Sequence, residues 1–119
     1  MKNQVIPYKL FLDDIRVPSF IYPKTKDSDW VVVRDLTEFK NAIETKGIPS
    51  FISFDNDLGS SLEEGKDGVK WMVFEKELDI SNMDFKVHSS NVSGVREYIE
   101  SLLNNWKKEL KNRKTQTNE

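Results

Sequence analysis

Two aspartates stand side by side in "FLDDIR" (Asp13, Asp14), and two more flank an asparagine in "SFDNDLG" (Asp55, Asp57). A third polar cluster, "HSSN", sets His88, Ser89 and Asn91 behind the apolar stretch "FKV". Brought together, four carboxylates would repel one another unless a cation neutralised them. Oxygen donors, no cysteine and a single histidine favour a hard ion, Mg²⁺ first, with Mn²⁺ or Ca²⁺ as alternatives. Arg16, two residues past Asp14, has the planar fork that clamps phosphate oxygens. The imidazole of His88 can move a proton near neutral pH, while Ser89 and Asn91 can donate to phosphate oxygens or cap a following helix. Each residue also has a plainer explanation: a solvated Asx turn for the acids, a structural hydrogen bond for His88, a surface position for Arg16. Convergence decides between the two.

The surrounding elements bear on that question. "YKLFL" (8–12), "WVVV" (30–33), "SFISF" (50–54) and "FKV" (85–87) are short, apolar and β-rich, hence strands. Between the first two lies a long connection in which Pro18 and Pro23 forbid a regular helix. "DLTEFKNAIETKG" reads as a helix, with Asp35 as N-cap, Glu38 completing a capping box and Gly47 at the C-terminal end. A second helix is expected over 69–78, after the loop "DNDLGSSLEEGKDG". The last helix carries the stripe Val95, Tyr98, Ile99, Leu102, Leu103, Trp106 and Leu110, and the tail from about residue 111 is expected to be disordered. Apolar rather than alternating strands, separated by helices, predict a mainly parallel sheet with helices on both faces. In such sheets ligands bind outside the carboxyl ends of the strands. The acids, Arg16 and His88 all follow strand ends, so they are expected on one rim.

Composition limits the alternatives. The 119 residues are expected to form one domain; 37% are hydrophobic and 11% aromatic, enough for a packed core. Lys and Arg total 18 against 20 Asp and Glu, a balance that argues neither for nor against a polyanionic partner. The absence of cysteine excludes disulfides and thiolate metal sites, and no stretch reaches the length of a membrane span. A cytoplasmic protein is the expectation.

"FLDDIRVP", "SFDNDLG", "DGVKWMV" and "VHSSNVSG", in that order, resemble the cyclic-phosphate processing receiver domains, and more distantly the receiver domains of response regulators. The resemblance runs from about Tyr8 to Trp106 and implies a receiver-like, flavodoxin-like three-layer fold of about four strands, the first helix replaced by a loop. It further implies that Asp13 and Asp14 hold Mg²⁺ (or Mn²⁺), that Asp55 lies nearest the receiver phosphoacceptor position and that Ser89 matches the receiver hydroxyl. The chain departs from these patterns in four places. A Pro-containing loop stands where a receiver has its first helix, Asn56 where the family has His, Val92 where it has Pro, and there is no fifth strand bearing a Lys.

The expected function is a metal-dependent phosphoesterase acting on cyclic phosphates, such as RNA 2′,3′-cyclic ends or cyclic nucleotides. Asp13, Asp14 and one or both of Asp55 and Asp57 would hold the metal, and His88, Asp57, Arg16 and Ser89 are the catalytic candidates. The alternative is a catalytically degenerate receiver-like module that binds without turnover. A nuclease of the Toprim or PIN type ranks behind both, because Toprim requires a Glu after its first strand.

Overall fold

The computed structural model describes residues 7–55, 65–88 and 95–117. Its elements run β1 (Lys9–Leu12), α1 (Pro18–Ile21), a 3₁₀ turn (Asp27–Asp29), β2 (Trp30–Val33), α2 (Leu36–Lys46), β3 (Phe51–Phe54), α3 (Gly65–Lys70), a π-helical turn (Trp71–Glu75), β4 (Asp84–Val87) and α4 (Val95–Thr117). The four strands form one sheet in the order β2-β1-β3-β4, with every pairing parallel. The chain leaves β1 toward β2 and then crosses back to β3. The point of reversal, between β1 and β3, is where a crevice opens above a parallel sheet.

Side chains alternate across each strand. Leu10, Leu12, Val33, Ile52, Phe54 and Val87 form one buried cluster with Phe39 and Ile43 of α2, Val69 of α3, Met72 and Val73 of the π turn, and Ile99, Leu103 and Trp106 of α4. Those helices therefore cover one face. On the other face Phe11 meets Trp30 edge-on at 5.7 Å, and Trp30 stacks on Tyr22 at 5.4 Å. Tyr22 belongs to the β1–β2 connection, so among the described residues this segment, with its one-turn helix α1 and the 3₁₀ turn, lies over the second face. Pro18 opens α1 at the first helical position, where its missing N–H costs nothing, and the helix ends after one turn.

Asp35 caps α2 by accepting the Glu38 N–H at 2.9 Å, and the Glu38 carboxylate returns to the Arg34 N–H at 2.8 Å. The box thus closes one residue earlier than the usual reciprocal pair. Gly47 ends α2 at φ +91°, a conformation that favours glycine. The second helix starts at Gly65, earlier than the apolar pattern predicts. Gly68 lies in this first stretch, where an added Cβ would meet the Phe39 ring at 3.1 Å, so α2 packs its Phe39 closely on the α3 backbone. The π turn also ends that helix sooner, with Lys76 N–H donating to Trp71 O. At the far end α4 continues to Thr117 rather than fraying from 111. Arg113 holds Glu109 one turn back at 3.0 Å and lies over the Trp106 ring, which extends helical support beyond the apolar stripe. Among the described residues no helix is long and apolar enough to cross a membrane.

Candidate phosphate and metal site

The hydrogen-bond ladder runs one residue past three of the strands. Asp13 N–H donates to Val33 O, Asp55 N–H to Leu12 O and His88 N–H to Phe54 O. Asp13, Asp55 and His88 are consequently fixed side by side at the carboxyl rim, on the face that carries Phe11. Their ligand atoms all lie within 4.8 Å of one another. Of the residues the motifs singled out, the structure brings together Asp13, Asp55, His88 and Arg16. Asp14 is half-buried and does not belong to the clustered group. Asp57 and Ser89 lie outside the described residues.

Asp13 is fully buried, and both its oxygens are in use. Oδ1 accepts the backbone N–H groups of Ile15 and Arg16, each at 2.9 Å. Oδ2 accepts Arg16 Nε–H and His88 Nε2–H, also at 2.9 Å each. A carboxylate offers about four lone-pair positions, and here all are taken. The Arg16 fork extends from Asp13 toward Asp55, with Nη2 3.7 Å from Asp55 Oδ1. A guanidinium thus offsets the repulsion between the two buried acids.

Sequence reasoning missed three contributors. Arg34, at the end of β2, donates through Nη1 to the carbonyls of Asp13 (3.1 Å) and Arg16 (2.6 Å), pinning the backbone of the turn. Ser53, buried within β3, lies 2.6 Å from His88 Nδ1 through its Oγ, and Tyr22 OH lies 2.7 Å from the same oxygen. Ser53 did carry a signal: it is a lone polar residue in an apolar strand, two before Asp55 and so on the same face. Arg34 follows its strand directly, as Asp13 and Asp55 follow theirs.

Burial is the largest influence on His88 and pushes its pKa below 6.5, although the Asp13 hydrogen bond and charge pull the other way. Burial would raise the Asp13 pKa, but the N–H groups of Arg16 and Ile15, the His88 hydrogen bond and the Arg16 charge outweigh it, and the net is lowered. At neutral pH the pair is therefore neutral imidazole and carboxylate. Since Asp13 can only accept, the ring proton sits on Nε2 and Nδ1 accepts from Ser53, whose Oγ accepts from Tyr22. Phe11 stacks flat on the imidazole, with centroids 4.7 Å apart and planes 3° apart. The His88 side chain is only 1% exposed. In this arrangement both ring nitrogens are engaged, and Nε2 orients Asp13.

Both shifts make acid destabilising. The unfolded chain protonates its histidine more readily than the folded one, so stability present above pH 6.5 is lost as pH falls from there through the folded pKa; Asp13 acts likewise below 3.8. Urea midpoints should therefore hold near neutrality and drop in two acid steps. His88→Gln should remove the first step and leave the second. An unchanged acid profile in that variant would mean His88 is not held neutral.

Two side-by-side carboxylates suit a hard divalent ion in donor type and spacing. Asp13 and Asp55 would hold it, and His88, whose Nε2–H points at Asp13, would support Asp13 from behind. The Arg16 side chain, which shares Asp13 Oδ2 with His88, is 30% exposed.

No curated protein and no solved structure matches the chain significantly. A parallel sheet in receiver order, an acid rim at its switch point and the model of the cyclic-phosphate processing receiver domain, which matches residues 8–105, agree: the chain belongs to that family.

Proposed function

We propose that the rim binds a cyclic phosphate ester, such as a 2′,3′-cyclic nucleotide or RNA end, and opens it by hydrolysis with Mg²⁺ or Mn²⁺ held by Asp13 and Asp55. The observation that carries this reading is the meeting of two buried carboxylates and the Arg16 guanidinium at the switch point, in a chain of this family. A divalent ion there supplies Lewis-acid polarisation of a phosphoryl oxygen. Arg16 holds the non-bridging oxygens through its fork. Asp13 keeps its orientation through the N–H groups of Ile15 and Arg16 on one oxygen and His88 on the other. Arg34 keeps the turn in place through two backbone carbonyls.

One observation favours the binding-only alternative. His88 is the protein's single histidine, and both its ring nitrogens are engaged inside the fold. A panel of 2′,3′- and 3′,5′-cyclic nucleotides, incubated with the protein and Mg²⁺ or Mn²⁺, separates the two. Ring opening that needs metal and is lost in Asp13→Asn supports hydrolysis. Saturable binding with every nucleotide recovered intact leaves a binding module.

A further inference from the structure

We infer that Arg16 is an exchangeable internal cation. It occupies Asp13 Oδ2 when no divalent ion is bound, competes directly with that ion, and is released on ion binding to face a phosphate. The inference rests on the metal-holding role proposed for Asp13 and Asp55, and goes beyond it by assigning Arg16 control over metal affinity.

The argument starts from the lone pairs of Asp13. With both oxygens doubly occupied, no acceptor position remains for an incoming ion, so one donor must leave. The two backbone N–H groups on Oδ1 belong to a turn anchored by Arg34 and cannot leave without unfolding it. His88 is buried, stacked on Phe11 and held at Nδ1 by Ser53. Arg16 alone among the four donors ends in a partly exposed side chain. Its backbone is meanwhile fixed, because its carbonyl accepts from Arg34 and its N–H donates to Asp13. The side chain can therefore swing while the turn stays still. Charge favours the exchange in both directions. The guanidinium neutralises the acids in the ion's absence, and an arriving dication repels it outward toward the place where a phosphate anion would lie.

The exchange has an unusual consequence: deleting a positive charge next to the proposed metal site should strengthen metal binding. Mn²⁺ titrated calorimetrically into the full chain should bind Arg16→Met about tenfold or more tightly than the unaltered protein, as expected for removal of a competing charge-assisted hydrogen bond. Equal or weaker binding by Arg16→Met, with the unaltered protein still binding, overturns the exchange and leaves the metal reading standing. Failure of both chains to bind Mn²⁺ overturns the two together. A second measurement avoids any folding defect of the variant. The Arg16 Nε–H resonance of the unaltered protein, identified by its loss in Arg16→Lys, should move to a solvent-exposed shift and exchange faster at saturating Mg²⁺. A resonance that stays put while Mg²⁺ binds overturns the exchange.

Discussion

Asp13→Ala should lower the unfolding free energy by about 3–5 kcal/mol, because it removes one partner of a buried charged network and leaves the rest without acceptors. The loss divides unevenly among the donors. Arg16, partly exposed, can turn to water. The Nε2–H of His88 cannot, being sealed in the fold, and the N–H groups of Ile15 and Arg16 lose the oxygen that shapes their turn. Asp13→Asn should cost clearly less. Its carbonyl oxygen can still take the two backbone N–H groups, and its amide NH₂ can donate to His88 Nε2 if the ring switches tautomer. The chain behind then reverses: Nδ1–H donates to Ser53, and Ser53 to Tyr22. Urea titrations of both variants give the energies. The ¹⁵N shifts of the protein's one histidine report the tautomer without assignment ambiguity. Equal costs for Ala and Asn, with no tautomer change, would contradict the hydrogen-bond directions assigned above.

Phe11→Ala is expected to be comparably damaging, at about 3–5 kcal/mol, for a different reason. Phe11 is wholly buried but belongs to the face opposite the main helices, between Trp30 and His88. Among the described residues that face has only the β1–β2 connection over it, a segment held by the Tyr22–Trp30 stack, the Tyr22–Ser53 hydrogen bond and the Trp30–Thr25 hydrogen bond. A cavity there cannot be filled by sliding a long helix inward. The loss should also reach the site, since the imidazole would lose the ring that keeps it flat against the sheet. Phe11→Leu, which keeps most of the volume, should recover much of the stability and narrow the difference in His88 shifts. A loss below about 1 kcal/mol for Phe11→Ala would mean that this face is not packed as described.

The four strands and α2 were legible because each carries its own local signal: an apolar β-rich run, or a capping residue followed by a helical stripe. The convergence of Asp13, Asp55 and His88 was legible as well. Parallel strands of equal length deliver whatever follows them to one rim, whichever strands turn out to be neighbours. The extent of the second helix was not legible: it begins at Gly65, ahead of its first apolar residue, and packs Gly68 against Phe39, a contact between segments rather than a property of either. The same holds for the end of α4, supported by Arg113 over Trp106 beyond the last apolar position.

The partners of the acids belong to a different category. Tyr22 reaches Ser53 across 31 positions, Ser53 reaches His88 across 35, and His88 reaches Asp13 across 75. No local pattern encodes such pairings. Residue types and their spacing along the chain were enough to determine the sheet, the rim and the chemical character of what gathers there, because strand periodicity and parallel topology are short-range rules. Which oxygen of Asp13 each donor takes, that the His88 side chain is sealed, and that Arg16 already occupies Asp13 Oδ2 were decided only in three dimensions. There a finite set of lone pairs is shared among groups that the chain brings together last.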